Sequence, residues 1–190
     1  MKDTIEIRWH GRGGQGAVTA ANIVADSAVY DGKYVQAFPE FGAERAGAPV
    51  RSFNRISSSP IYLHSQIEVP DVVIVLDPTL LEAVNVCEGL SEKGILLVNT
   101  VDSPKEIRQR CGFTKGKVYT VPATDISLRE LKRNIPNTPM IAALVSITGI
   151  LKLDTVIENF KKKYAAKFRP EIIEANIKAM KAAAAEVKAE

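Results

Sequence analysis

The chain holds only two cysteines, Cys87 and Cys111, in 190 residues. They form no CxxC pair, so the sequence offers neither a zinc knot nor the thiolates of an iron–sulfur cluster. Two reduced thiols of a cytoplasmic protein are the expectation. Charge of one sign is also scarce: the net charge is +3, too little to argue for nucleic acid. The basic run Lys161, Lys162, Lys163, Lys167 and Arg169 reads as a solvated helix face. Long apolar runs are missing as well. The longest uncharged stretch, 135–151, contains two prolines and falls short of the roughly 20 apolar residues a membrane span needs. The opening "MKDTIEIRWHG" has no apolar leader region. No internal repeat and no linker interrupts the chain, and one domain over 1–190 is expected.

With hydrophobic residues at 46% and charged residues at 25%, the chain can bury a sizeable core. Ile5 to Trp9 alternates as a first strand. A helix follows, marked by Val18, Ala21, Ala25 and Ala28 and ended by Asp31-Gly32. "KYVQAF" is a second strand closed by Pro39, and "PEFGAERAGAP" a loop. "VRSFNRIS" and "IYLHS" read as two strands around the turn Ser57-Ser58-Ser59-Pro60. "VVIVLD" and "GILLVNT" are apolar enough for strands buried on both faces, and "KVYTVPA" is a further strand. Thr138 is placed to cap an uncharged helix over about 139–150, expected in the core or under a partner. Two more helices are marked by Val156, Ile157, Phe160 and Tyr164, and by Ile173, Ile177, Met180, Ala184 and Val187. The pattern predicts an α/β fold: a three-layer α/β/α sandwich around a Rossmann-like, mostly parallel sheet with added antiparallel strands.

"GRGGQG" lies between the first strand and its helix. Gly11, Gly13 and Gly16 satisfy GxGxxG in the required setting. Gly14 adds another position free of side chain, while Arg12 offers charge and Gln15 an amide. Such a loop brings backbone close to an anion at a helix N-terminus. The acid expected some 20 residues on, to hold a ribose, is absent: that neighbourhood reads Gln36, Ala37, Phe38. A bound dinucleotide is therefore disfavoured, and a purely structural turn remains open beside an anion site. His10 reads as structural rather than acid–base, and His64 as a structural strand residue. Arg51 and Arg55 share one strand face and serve either as anion contacts or as solvated charges. Asn99 and Thr100 end a central strand, where open α/β sheets bind ligands.

Two stretches taken together are far more specific than the glycines. "WHGRGGQGAVTAANIVADSA" followed by "YVQAFPEFGAERAGAPVRSFNRIS" resembles the gamma subunit of the 2-oxoacid:ferredoxin oxidoreductases, and most of all that of the pyruvate enzymes, the pyruvate synthases. "PDVVIVLD", "GILLVNT" and "IPNTPMIAALVSITGI" continue the likeness in order, over about 5–188. The resemblance implies a non-autonomous subunit of a complex that oxidises a 2-oxoacid with coenzyme A and passes electrons to ferredoxin. It implies alpha, beta and delta partners that carry thiamine diphosphate with magnesium and 4Fe-4S clusters. It assigns this chain no catalytic side chain and no metal. The loop Gly11, Arg12, Gly13, Gly14, Gln15 and Gly16 becomes a site for a coenzyme A phosphate. Glu40, Gly42, Glu44, Arg45, Gly47 and Pro49 become interface or active-site lining. The isolated chain is expected to self-associate through its uncharged helix and small-residue loops. A free-standing nucleotide-dependent oxidoreductase and a non-catalytic nucleotide-binding module are the alternatives.

Overall fold

A computed structural model describes residues 3–40 and 47–190. The chain runs β1 (Thr4–Arg12), α1 (Ala17–Tyr30), β2 (Tyr34–Glu40), β3 (Pro49–Ser57), β4 (Val72–Val75), α2 (Leu80–Ala83), β5 (Ile95–Asn99) and α3 (Pro104–Cys111). It continues through β6 (Lys117–Val121), α4 (Ala123–Leu131), α5 (Asn137–Thr148), α6 (Leu153–Tyr164), α7 (Pro170–Glu186) and β7 (Lys188–Ala189). The strands form one sheet in the order β2-β3-β1-β4-β5-β6-β7. β1, β4, β5 and β6 run parallel, while β3 lies antiparallel between β1 and β2, and β7 antiparallel to β6.

Alternation in β1 sends Ile7 and Trp9 into the larger core, against α1, α4, α5, α6 and α7. The smaller core lies on the opposite face, where α2 and α3 cover Val73, Val75, Leu96, Val98 and Val118. Strands β4 and β5 feed both cores, which is why they read as unbroken apolar runs. Small residues let α1 lie close: Ala17, Ala20, Ala21 and Ala28 are buried against the sheet. Polar residues on the core face of β3 tie the same helix down. Ser52 Oγ donates to the Ala17 carbonyl at 3.1 Å, and Asn54 Nδ2 to that of Ala21 at 2.9 Å. Trp9 Nε1 completes the set by donating to Asn54 Oδ1 at 2.8 Å.

Three expectations change. "IYLHS" is not a strand: 61–65 is irregular and His64 is exposed. The antiparallel partner of β3 is β2, which runs through Pro39 to Glu40 as an edge strand, where a missing N–H is tolerated. Thr138 does not cap α5, because it sits inside the first turn, buried, with its hydroxyl donating to Asn176 Oδ1 at 2.9 Å. The uncharged α5 is covered by this chain's own helices, its residues from Met140 to Val145 lying in the larger core. It therefore supplies no exposed apolar surface for self-association.

Candidate functional site

Strands β1 and β4 are parallel neighbours, yet the chain leaves them toward opposite faces. After β1 it enters α1 on the face of the larger core. After β4 it enters α2 on the other. The two exits therefore form a topological switch point, where open α/β sheets form their ligand crevices. Both exits carry the side chains that define the site.

The glycine loop is knitted to the turn after β4. Gln15 Oε1 accepts from the Arg12 N–H at 2.7 Å, and Gln15 Nε2 donates to Asp77 Oδ2 at 2.6 Å. The Arg12 guanidinium donates to Thr79 Oγ1 at 2.9 Å and lies 3.3 Å from Asp77 Oδ2. Asp77 Oδ1 in turn accepts from the Thr79 N–H at 3.0 Å and hydroxyl at 2.6 Å. Burial works against ionising this carboxyl. The hydrogen bonds from Thr79 and Gln15, with the Arg12 charge, outweigh it and hold Asp77 below its ordinary value.

Gly14 and Gly16 have φ of 97° and 83°, the left-handed region that glycine reaches without a steric penalty. Gly14 faces open space. Gly16 caps α1 with no side-chain bond, and a Cβ there would stand 2.7 Å from Asn137 Nδ2. Gly11 lies in extended backbone, where a Cβ would meet that of Ala17 at 3.2 Å. The first-turn N–H groups of α1 have no acceptor within the helix and carry the positive end of the helix dipole.

Residues 47–49, at the described end of the second matched loop, reach the same place. Gly13 N–H donates to the Ala48 carbonyl at 3.0 Å, and Arg12 to the Gly47 carbonyl at 3.2 Å. Pro49 is the register partner of Arg12. Glu40 accepts from Arg51 at 2.7 Å near the open end of β2. Gly42, Glu44 and Arg45 lie outside the described residues. Sequence reasoning thus paired the two loops but missed Asp77, Thr79 and Asn137. The "LDPT" that follows an apolar strand is the signal that points to the first two.

Other singled-out residues are structural. Arg55 is 1% exposed and donates to Glu6 at 2.7 Å, to Gln36 at 2.7 Å, and to the carbonyls of Leu63 and Ser65. It is neither solvated nor free for an anion. Asn99 clamps the sheet to α4: Nδ2 donates to the Leu76 carbonyl and Thr124 Oγ1, and Oδ1 accepts from the Thr124 N–H. His10 is buried, with Nε2 unpartnered. Burial first, then the charges of Arg8 and Arg51, push its pKa down from 6.5 to about 3. A base so weak is neutral at physiological pH and a poor proton acceptor.

The dinucleotide reading fails on topology as well as on the missing acid. β2 is separated from β1 by β3, so β1-α1-β2 is not a pair of neighbouring parallel strands. Gln36, near the position of the missing acid, is held by Arg55. Among the described residues, no three His, Cys, Asp or Glu side chains gather as a metal site. No helix there is long and apolar enough to cross a membrane.

The family model for pyruvate ferredoxin/flavodoxin oxidoreductase matches residues 6–186. The chain is 53% identical over 187 residues to the pyruvate synthase subunit PorC of Thermotoga maritima, covering 98% of this chain and 96% of that one. It is 52% identical over 161 residues to the pyruvate/ketoisovalerate oxidoreductases common subunit gamma of Thermococcus kodakarensis, with 85% and 87% covered. The crystal structure of the Thermotoga maritima pyruvate oxidoreductase subunit PORC superposes with a TM-score of 0.88 at 50% identity, covering 100% of this chain and 99% of that one. The 2-oxoglutarate:ferredoxin oxidoreductase of Magnetococcus marinus shares the fold at 22% identity and a TM-score of 0.79, over 97% of this chain and 31% of the other.

Proposed function

Because the chain belongs to the pyruvate ferredoxin/flavodoxin oxidoreductase family, we propose how its switch-point crevice serves that family's reaction. The chain is a gamma-type subunit of a 2-oxoacid:ferredoxin oxidoreductase and works within a multi-subunit complex. The oxoacid is pyruvate, on the strength of the 53% identical relative. Residues 1–190 act as one domain in the cytoplasm, assembled with alpha, beta and delta chains. Thiamine diphosphate with magnesium supplies the carbon chemistry and 4Fe-4S clusters the electron path, all on those partners. Ferredoxin is met indirectly.

This chain's own part is to hold and orient the coenzyme A substrate. The loop from Gly11 to Gly16 takes one of its phosphates on the N–H groups at the start of α1. Glu40, Gly42, Glu44, Arg45, Gly47 and Pro49 line the neighbouring subunit or the active-site region. The observation that carries this reading is the meeting of the two matched loops at the switch point, where Gly14 faces open space and Arg12 is pinned beside it by Asp77 and Thr79. Arg12 is neutralised there, so the anion is bound by backbone and helix dipole more than by a free charge. Positioning of this kind contributes to rate with no catalytic side chain on the loop.

The test is Gly14→Val in the assembled complex. The side chain fills the approach to the helix N-terminus, and the expected result is a Michaelis constant for coenzyme A raised about tenfold, equivalent to roughly 1.4 kcal/mol, with that for pyruvate little changed. A variant that assembles normally and keeps the wild-type coenzyme A dependence makes the loop a structural turn only.

A further inference from the structure

The two cysteines stand 24 positions apart in sequence and meet in space. Both are half-buried and line one cavity of about 280 Å³ with Asn85, Leu90 and Phe113. Both also pack at the edge of the smaller core. Across that shared cavity each thiol shifts the ionisation of the other. In the neutral state Cys111 Sγ donates to the Ile107 carbonyl at 3.0 Å.

The backbone on each side is pinned. Arg8, reaching across from β1, donates to the carbonyls of Val86 and Glu88, which flank Cys87. Arg108 donates to the carbonyls of Phe113 at 2.8 Å and Gly116 at 3.1 Å, just beyond Cys111. The two cysteines therefore line their shared cavity from anchored segments. Neither one takes part in the crevice described above.

We propose that Cys87 and Cys111 are a redox-sensitive pair that closes to an intramolecular disulfide when a hydroperoxide reaches their cavity. The Cys111 thiolate attacks the peroxide, breaking the O–O bond. This gives a sulfenic acid at Cys111 and releases water from hydrogen peroxide, or an alcohol from an organic peroxide. The Cys87 sulfur then attacks Cys111 Sγ, forming the S–S bond and expelling hydroxide, which leaves as water with the Cys87 proton. Two electrons pass from the two sulfurs to the peroxide, and a dithiol reductant reverses the step.

Electrostatics assigns the order of events. The neighbouring Cys87 thiol holds the Cys111 pKa down to about 6 against burial, helped by the Phe113 N–H and the Arg108 charge. The neighbouring Cys111, and burial, push Cys87 up. The first anion, and so the first nucleophile, is Cys111. The product is a staple. It ties the segment that Arg8 anchors beneath β1 to the end of α3, on the sheet face opposite α1.

The experiment exposes the full reduced chain to hydrogen peroxide, alkylates the remaining thiols and maps proteolytic peptides by mass spectrometry without reduction. The expected result is loss of both free thiols, with a linked peptide pair containing Cys87 and Cys111. The yield should be independent of protein concentration and reversed by dithiothreitol. In Cys87→Ser, Cys111 should stop at a sulfenic acid that dimedone captures. Two thiols that stay alkylatable, links found only between molecules, or Cys111 passing to the sulfinic acid while Cys87 stays free would each overturn the proposal.

Discussion

An imidazole buried between two guanidinium groups makes folding sensitive to pH. The His10 pKa is about 3 in the folded chain against 6.5 ordinarily. Above pH 6.5 both states hold the neutral ring and nothing is lost. As pH falls through 6.5 the unfolded chain takes up a proton that the folded chain refuses until about pH 3. Stability therefore declines across that window by about 1.4 kcal/mol per pH unit at most. Between pH 6.5 and pH 5 His10 alone should remove about 1.6 kcal/mol. Urea unfolding at the two pH values should show this drop, and His10→Gln should lack it. An unchanged slope in the variant would place the sensitivity elsewhere. The glycines separate by the same kind of argument. Alanine at Gly14 meets open space and suffers only from φ 97°, a loss of about 1–2 kcal/mol. Alanine at Gly16 suffers from φ 83° and also presses on Asn137, which is buried and whose Oδ1 accepts the Thr138 N–H. Gly16→Ala should be the more destabilising of the two in thermal unfolding, and equal losses would show that Asn137 yields freely. The glycines were legible because few residues tolerate such backbone. Asp77 and Asn137 were not, because their importance lies in what they touch.

The stretch 61–65 shows what a strand-like pattern cannot reveal. Ile61, Tyr62 and Leu63 have the composition of a strand, and a serine-rich turn precedes them. The edge beside β3 is already taken by β2, so they cannot pair with β3 as a hairpin. Arg55 holds the segment instead, through the carbonyls of Leu63 and Ser65, while its Nε closes a 2.7 Å ion pair with Glu6. A buried arginine reads in sequence like an exposed one, since both alternate with apolar neighbours. Arg55→Met keeps the bulk but strands the Glu6 carboxylate and the two carbonyls. It should cost about 3–5 kcal/mol and raise hydrogen exchange and proteolysis around 61–66. Glu6→Gln combined with it should recover part of the loss. If Arg55→Met leaves both stability and the exchange of that segment unchanged, the ion pair carries none of the local structure. The parallel strands β4 and β5, by contrast, were plain from sequence, since burial on both faces leaves no room for polar residues.

At the scale of the whole molecule, the strand order decides what the glycine loop is for. Inserting β3 between β1 and β2 removes the ribose side of a dinucleotide site, while β1 and β4 stay parallel neighbours beside the proposed anion site. Sequence showed the alternation of strands and helices but not this order, because strand pairing is decided by contacts far apart along the chain. The same fold makes up 31% of a longer chain in Magnetococcus marinus, so it also occurs built into a larger polypeptide. The two cysteines of this chain cannot ligate a 4Fe-4S cluster, which takes four thiolates. The purified chain should therefore be colourless, free of iron and thiamine diphosphate, and inactive with pyruvate, coenzyme A and an electron acceptor. Adding back the proposed alpha, beta and delta chains should restore coenzyme A-dependent reduction of the acceptor, whereas those partners without this chain should not support it. Iron at stoichiometric levels in the purified chain, or full activity in its absence, would show that the division of labour lies elsewhere. The reconstitution also separates two failures. Partners that assemble with Gly14→Val and lose only their coenzyme A affinity locate the fault at the crevice, and partners that do not assemble locate it at the interface.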